Sequence, residues 1–188
     1  MNSAKVGIAG AGSIALGTAA LLVDQGHDPM LWSVSGAGTA GLKDGVRSEG
    51  ALELDFSPRI AASAQDLVAV NDVLIIALPA YGHKTIMDAL APHIRDGQHV
   101  IVSSHASMGA LYLMRMLAAR GVSAPITAWG TTVVTGRRQD GPVITVNTVR
   151  SRVDICTVPD TGSGAALGLC KDLFGDRFQP RDGLLAIS

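Results

Sequence analysis

The chain begins with a long stretch of apolar and small residues, residues 6–23, that contains no charged side chain. A run of this length is a candidate for a membrane-spanning helix. Glycines argue against that interpretation, because each glycine inside a helix costs about 1 kcal/mol relative to alanine, and this run contains Gly7, Gly10, Gly12 and Gly17. The stretch instead predicts a buried strand over residues 5–9, a glycine turn over 10–13 and an apolar helix over 14–25.

Short apolar runs and helical patterns continue to alternate as far as residue 120. Strands are predicted over residues 28–33, 59–63, 72–78 and 98–103, and helices over 65–70, 84–94 and 107–120. Residues 35–50 are glycine-rich and predict a loop or irregular helix. Apolar runs bounded by turn residues are typical of parallel strands that are buried on both faces. The fold class predicted is therefore α/β, a Rossmann-type doubly wound, mostly parallel sheet with helices on both faces.

The pattern changes from residue 125 onward. Strands are predicted over residues 126–129, 143–149 and 153–158, with a turn at 150–152 and a helix over 164–174. Residues 184–188 resemble a strand or the start of another element. We therefore expect residues 1–188 to form one domain with a β-rich C-terminal extension, and we expect that a C-terminal portion of the protein lies outside this sequence.

Charge and cysteine usage exclude several functions. Fifteen basic and 16 acidic residues give a net charge of −1, which provides no electrostatic surface for nucleic acid or an anionic membrane. Cys156 and Cys170 have neither the spacing of a redox motif nor a neighbouring histidine pair, so no metal site is predicted. Two free, buried thiols indicate a reducing cytoplasm. His27, His93 and His99 are interpreted as loop or surface residues.

The predicted glycine turn carries the pattern GxGxxA through Gly10, Gly12 and Ala15. In dinucleotide-binding folds the first glycine permits the tight turn and the second permits close approach of the pyrophosphate. The small third residue lets the helix pack against the strand. Ser13 and Ile14 open the helix, where free N–H groups and the helix dipole face the phosphates. We therefore predict that these five residues bind NAD(P).

Cofactor preference depends on the end of the second predicted strand. An acidic residue there would hydrogen-bond the ribose 2′-hydroxyl of NAD. The sequence instead has Ser33 and Ser35, and no acid. Serine hydroxyls can donate to a 2′-phosphate, so NADP is the preferred cofactor, with NAD as the alternative. Arg47 is a further candidate for the phosphate.

The sequence resembles the opine dehydrogenase family, which includes octopine and nopaline dehydrogenases. The resemblance covers nearly the whole chain: GAGSIA, then LPAYGHKTIMDALAPHIRDGQHVIV, then MGALYLMRML, then TTVVTGR. It departs from the family pattern at residues 103–106 and in the residues that flank Thr131. Members of this family use NAD(P)H to reduce the imine formed by an amino acid and a 2-oxo acid. They combine an N-terminal Rossmann domain with a helical C-terminal domain.

The resemblance implies where ligands bind. The cofactor is expected at the end of the strand over residues 72–78, beside Leu78, Pro79, Ala80 and His83. The substrates are expected near Ser104, His105 and Thr131. The family's catalytic histidine lies in the second domain, which this sequence does not reach, so the catalytic residue is unknown. No metal is implied, the partners are small-molecule substrates, and the oligomeric state stays open.

Two alternatives to an opine dehydrogenase-like enzyme remain. One is the N-terminal domain of another two-domain reductase related to glycerol-3-phosphate dehydrogenase or ketopantoate reductase. The other is a stand-alone dinucleotide-binding regulatory module without a catalytic half. The second alternative predicts cofactor binding with no turnover of any amino acid and 2-oxo acid pair.

Overall fold

The structure, a computed structural model, describes residues 4–106 and 108–187. Ser107, at the predicted start of a helix, Ser188 and residues 1–3 lie outside the described residues. The strands are β1 (Lys5–Ala9), β2 (Asp28–Trp32), β3 (Val46–Gly50), β4 (Leu54–Phe56), β5 (Arg59–Ile60), β6 (Val73–Ile76), β7 (His99–Ser103), β8 (Ile126–Trp129), β9 (Val134–Arg138), β10 (Val143–Val149), β11 (Val153–Val158) and β12 (Phe178–Pro180). The α-helices are α1 (Ser13–Asp24), α2 (Ala64–Ala69), α3 (His83–Leu90), α4 (Gly109–Ala119) and α5 (Ser163–Phe174).

An eight-stranded sheet in the order β12-β11-β8-β7-β6-β1-β2-β5 forms the centre of the molecule. The neighbouring strands from β5 to β8 are all parallel, and β11 is antiparallel to β8. The chain winds outward from β1 through β2 to β5, then returns to β6 on the other side of β1. The direction of winding therefore reverses between β1 and β6. The predicted doubly wound, mostly parallel fold is confirmed.

Alternate residues of the central strands supply two separate hydrophobic cores. Val6 and Ile8 of β1 join α1 and α5 on one face, whereas Ala9 faces α2, α3 and α4 on the other. The same alternation holds in β6, where Ile75 belongs to the first core and Leu74 to the second. Side chains in a strand point alternately to opposite faces, so a continuous apolar run is what a sheet covered on both sides requires.

A second sheet of four strands, in the order β4-β3-β10-β9, covers the outer side of α1. The prediction of a loop or irregular helix over residues 35–50 is therefore partly wrong. Two short 3₁₀ helices occupy Ala37–Thr39 and Leu42–Asp44, but Val46–Gly50 is strand β3. Strand β9 was not predicted either. Both strands depend on pairing with β10, which is distant in sequence from β3.

Helix α1 is buried from Ala15 to Leu22 without interruption. Its inner side packs on the main sheet and its outer side on β9 and β10 of the small sheet. A side chain at Gly17 would start 2.9 Å from the Cγ2 atom of Val134, so the small sheet approaches the helix backbone closely. A helix that is apolar all round belongs in such an interior. No helix within the described residues is long and apolar enough to cross a membrane.

His27 lies in the loop between α1 and β2, as predicted, but is buried, whereas His99, predicted in a loop or on the surface, is buried in a strand. His27 makes two hydrogen bonds to distant parts of the chain. Its Nδ1 accepts from the Ala4 N–H at 3.2 Å, and its Nε2 donates to the Asp172 carbonyl oxygen at 3.1 Å. His99 lies in β7, where its Nε2 is 2.7 Å from the Thr127 hydroxyl. That hydroxyl is in turn 2.9 Å from the hydroxyl of Thr157. These polar partners lie far from the histidines in the chain, in α5 for His27 and in β8 for His99, so sequence position alone missed the burial.

The predicted elements of the C-terminal part are present, but β9 and β12 were not predicted. Helix α5 and strands β8, β10 and β11 lie where the sequence predicts them. The turn at residues 150–152 connects the small sheet to the main sheet, because β10 pairs with β3 and β9 while β11 pairs with β8 and β12. Residues Leu184–Ile187, predicted as a strand or the start of another element, form a 3₁₀ helix.

Burial makes His99 a source of acid sensitivity. Desolvation lowers the pKa of His99 to about 4, whereas an unfolded histidine titrates near 6.5. The unfolded state then binds the extra proton first, so stability is full above about pH 6.5 and is lost as the pH falls towards 4. Between pH 7 and pH 5 we expect the free energy of unfolding to fall by about 2 kcal/mol more in wild type than in a His99→Gln variant. Urea unfolding at both pH values measures this, and equal losses in the two proteins would contradict it.

Candidate functional site

A cleft opens where the carboxyl ends of the central parallel strands meet. It lies across the point between β1 and β6 at which the winding direction reverses, which is where ligands bind in open α/β sheets. Its volume is about 320 Å³, at the lower end of the range of about 300–1,000 Å³ typical of small-molecule sites. The lining residues follow β1, β6, β7 and β8: Gly12, Ser13, Ile14, Ala77, Leu78, Pro79, Ala80, Ser103, Ser104, Ala106 and Thr132.

Gly10 permits the tight turn at the end of β1. Its φ of +144° is one that side-chain-bearing residues rarely adopt. A Cβ atom there would lie 2.2 Å from the carbonyl oxygen of Ala77 and 3.2 Å from the Cβ of Ala15. The Gly10 N–H donates to the Trp32 carbonyl oxygen at 2.8 Å. The glycine therefore lets β1 end in close contact with β2, β6 and the first turn of α1.

Gly12 has a different role from Gly10. It is the N-cap of α1 with an extended backbone, and a Cβ atom added there would meet no atom within 4 Å. The space beside it is therefore part of the open cleft. No side chain caps the helix, and the first N–H groups of an α-helix have no partners within the helix. Ser13 and Ile14 line the cleft at this point, so the arrangement suits an anionic group.

Ser33 and Ser35 lie in the turn that follows β2. The turn is closed by a hydrogen bond of 3.1 Å from the Gly36 N–H to the Ser33 carbonyl oxygen. The Ser33 hydroxyl is buried and has no hydrogen-bond partner among the described residues, whereas Ser35 is exposed. At Gly38 an ideal Cβ would lie 2.9 Å from the Cβ of Ala11 and 3.4 Å from Ser33 Oγ. The loop after β2 is thus folded closely against the glycine turn.

His83 supports the cleft from behind. It is buried at the start of α3, and its Nε2 donates to the carbonyl oxygen of Leu78 at 3.0 Å. Burial lowers the pKa of His83, although this hydrogen bond opposes the shift. The side chain lines a second, adjoining hollow with Met87, Gly109 and Tyr112. His83 therefore positions the segment that follows β6, and its imidazole is neutral at pH 7.

Ser104 and His105 are brought to the cleft at the end of β7. Ser104 lines it directly. The His105 N–H donates to the Trp129 carbonyl oxygen at 2.6 Å, and the Nδ1 of the half-buried ring has no partner among the described residues. Burial lowers the pKa of His105, and the neighbouring imidazole of His83 lowers it further. Two neutral imidazoles therefore stand near this end of the cleft.

Two predicted candidates are placed elsewhere. Thr131 lines a separate hollow with Gly130, Arg152 and Asp154, and the next residue, Thr132, lines the cleft instead. Arg47 lies on β3 in the small sheet, where it forms an exposed ion pair of 3.2 Å with Asp55. Arg47 is therefore not brought to the turn after β2.

Sequence reasoning missed Arg138, which contacts the glycine turn. Its Nη1 donates to the carbonyl oxygen of Ala11 at 2.7 Å and to that of Gly38 at 2.9 Å. The residue is more than 120 positions away from the turn in the chain, and only the packing of β9 on α1 joins them. The signal that could have found it is the alternation of Val134, Gly136 and Arg138 in a short strand.

Metal and thiol chemistry receive no support. Within residues 4–106 and 108–187 no group of His, Cys, Asp and Glu side chains could hold a metal ion. Both cysteines are free and buried. Burial raises the pKa of the Cys170 thiol to about 12 and raises that of Cys156 as well, so neither is a reactive thiolate.

The family of the chain follows from comparison with known proteins. The model of the family described as ketopantoate reductase PanE/ApbA matches residues 6–155. The chain belongs to this family. Among curated proteins, the opine dehydrogenase of Arthrobacter sp. (strain 1C) is 27% identical over 174 residues, which are 89% of this chain and 48% of that protein. The glycerol-3-phosphate dehydrogenase [NAD(P)+] of Agathobacter rectalis is 25% identical over 52% of this chain and 30% of its own length.

Solved structures place this PanE/ApbA family member beside opine-forming enzymes in fold. Octopine dehydrogenase with NADH and L-arginine superposes with a TM-score of 0.81 at 16% identity, covering 98% of this chain and 50% of that one. Yersinopine dehydrogenase with bound NADP+ gives a TM-score of 0.75 at 15% identity, with coverages of 98% and 49%. The chain spans half or less of the length of these relatives. The resemblance to opine dehydrogenases, as an NAD(P)-binding Rossmann-type domain, is confirmed.

The different roles of Gly10 and Gly12 predict different stabilities for two alanine variants. Gly10→Ala should lower the free energy of unfolding by about 2 kcal/mol or more, because it combines a strained φ with a clash against the Ala77 carbonyl. Gly12→Ala should change it by less than about 1 kcal/mol, because the added methyl enters open space. Urea unfolding followed by circular dichroism compares the two. Similar losses in both variants would show that the turn does not have the described geometry.

Proposed function

We propose that this chain is the NAD(P)-binding domain of an opine dehydrogenase-like oxidoreductase, and that residues 1–188 form that single domain. The reaction is reduction of the imine between an amino acid and a 2-oxo acid. The observation that carries the proposal is the cleft at the β1–β6 reversal point, with an uncapped helix N-terminus and an open Gly12 on its floor. The free, buried cysteines fit a cytoplasmic protein.

The residues present fit a nicotinamide dinucleotide. Gly10 makes the turn, while Gly12, Ser13, Ile14 and Ala15 receive the pyrophosphate at the start of α1. Ser33 and Ser35 lie in the turn after β2, beside which the adenosine ribose would bind. Ser35 is exposed there, and the buried Ser33 hydroxyl has no partner among the described residues. When bound, the nicotinamide supplies the hydride.

The other end of the cleft provides the nicotinamide side. Leu78, Pro79 and Ala80 form one wall, held by the hydrogen bond from His83 to the Leu78 carbonyl oxygen. Ser104 forms the opposite wall, with His105 next to it. Neutral histidines can donate or accept one hydrogen bond each but cannot neutralise a substrate carboxylate. The resemblance to opine dehydrogenases implies that the proton-transferring histidine lies in the second domain of such enzymes, and no residue described here is assigned as catalytic.

NADP(H) is the proposed preferred cofactor. The turn after β2 contains no acidic residue that would repel a 2′-phosphate, and its serines can donate to one. Among the structural relatives, octopine dehydrogenase is seen with NADH and yersinopine dehydrogenase with NADP+. The fold therefore accommodates either cofactor, and the local residues at Ser33 and Ser35 favour NADP(H).

Cofactor titration tests the domain assignment. We expect NADPH to bind more tightly than NADH, as followed by nicotinamide fluorescence or calorimetry. Gly12→Asp should weaken both cofactors about tenfold or more, because it places a carboxylate where the pyrophosphate lies. Ser33→Asp should weaken NADPH more than NADH, because it adds a charge beside the 2′-phosphate.

The matched control is Gly164→Asp, which adds the same charge at an open, exposed position in α5 and should leave both affinities unchanged. Absence of binding by either cofactor would overturn the domain assignment. Tighter NADH than NADPH binding would overturn only the preference.

The second candidate is reduction of a 2-oxo acid to a 2-hydroxy acid, as in a ketopantoate reductase. The family match over residues 6–155 favours it, and the likeness to a glycerol-3-phosphate dehydrogenase points to the same class of carbonyl reduction. The candidates differ in stoichiometry. We expect the whole enzyme to oxidise NADPH only when an amino acid and a 2-oxo acid are both present. Oxidation by ketopantoate alone, followed at 340 nm, would replace the first candidate by the second.

A further inference from the structure

Arg138 is a cation that reaches the glycine turn from the small sheet. It ends β9, and its Nη1 bridges the carbonyl oxygens of Ala11 and Gly38. Ala11 stands between the two glycines of the turn, and Gly38 belongs to the loop after β2. One nitrogen of one side chain therefore ties together the two segments that border the adenosine half of a dinucleotide in this fold.

The remainder of the guanidinium is uncommitted. Within residues 4–106 and 108–187 no acidic side chain forms an ion pair with Arg138, and no acceptor atom bonds to its Nε or Nη2. Neither of these two nitrogens is fully buried, so both are accessible to a ligand. A side chain that served only to join the two loops would need Nη1 alone.

A second unpartnered donor lies close to Gly38. The Ser33 hydroxyl is buried without a partner, and it lies 3.4 Å from the ideal Cβ position of Gly38, whose carbonyl Arg138 contacts. Arginine presents paired N–H groups that match two oxygens of a phosphate, and a hydroxyl can add a third hydrogen bond. Arg138 and Ser33 both lie beside Gly38 in the loop after β2, and the ribose 2′ position is recognised near the end of β2 in this fold.

We infer that Arg138, together with Ser33, binds the 2′-phosphate of NADP(H) and so sets the cofactor preference. This inference rests on the proposed function and deepens it. Arg138 takes the role that the sequence suggested for Arg47, whose guanidinium is paired with Asp55 in the exposed part of the small sheet. Arg138 belongs to β9 of the small sheet and therefore comes from outside the βαβ unit.

The test separates phosphate recognition from loop tethering. Arg138→Gln should weaken NADPH and 2′,5′-ADP about tenfold or more, while NADH and 5′-AMP change less than about twofold. Arg138→Lys keeps the charge but loses the paired geometry, and it should fall between wild type and Arg138→Gln for NADPH only. Equal weakening of the phosphorylated and unphosphorylated ligands, or no change in any of them, would overturn the inference.

Arg137→Gln is the matched control. It removes the same charge from the next residue of β9, which is exposed and points to the opposite face of the strand, and we expect the affinity for NADPH to stay within about twofold of wild type. Melting temperatures confirm that each variant is folded, and if Arg138→Gln unfolds, Arg138→Lys decides the question. Wild-type binding of neither NADH nor NADPH would overturn the proposed function together with this inference. Wild-type binding of both, with no selective effect of Arg138→Lys and Arg138→Gln, would overturn this inference alone.

Discussion

The burial of α1 between two sheets is the constraint on which the rest of the structure depends. The main sheet needs a cover over β1 and its neighbours, and the small sheet needs an apolar surface to rest on; α1 serves both. A helix in this position has no solvent-facing side, so residues 15–22 contain no charge, and Gly17 and the alanines allow close approach on either side. The same packing fixes the direction of the helix and therefore the place where its N-terminus opens.

Charge is distributed unevenly along the cleft. One side has the N-terminus of α1, next to which the Arg138 guanidinium contacts the Ala11 carbonyl oxygen. The other side has Leu78, Pro79 and two histidines whose pKa values are lowered by burial. The first environment suits phosphates, and the second suits an uncharged ring next to a polar but neutral wall. A dinucleotide that lies across the reversal point of the sheet thus meets matching chemistry at both ends.

The elements that could be predicted from the sequence are those whose pattern lies within one contiguous segment. The glycine turn, α1 and the strands β1, β6 and β7 follow from contiguous residues, because a doubly covered parallel strand is a continuous apolar run. Strands β3 and β9 were missed because their pairing partners lie elsewhere in the chain. In β3 only Val46 and Ser48 face inward, so the strand contains a single buried apolar side chain.

The same distinction applies to the individual site residues. The burial of His27 and His99 depends on hydrogen-bond partners in distant elements, and the position of Arg138 depends on how β9 crosses α1. Thr131 was predicted at the cleft, but the next residue, Thr132, lines it, and Thr131 lines a separate hollow. A difference of one residue after a strand therefore decides which hollow a side chain lines. Predictions of which strand ends meet held, whereas the orientation of single side chains at those ends required the structure.

The order of the small sheet has a consequence for synthesis of the protein. Its central pair joins β3 to β10, so β3 and β4 have no partner sheet until Val149 has been made. During that interval the outer side of α1 lacks β9 and β10, the strands that cover it in the folded domain. At about 5–20 residues per second, more than 120 residues of delay correspond to roughly ten seconds. The nascent chain therefore leaves part of this apolar helix uncovered for that time.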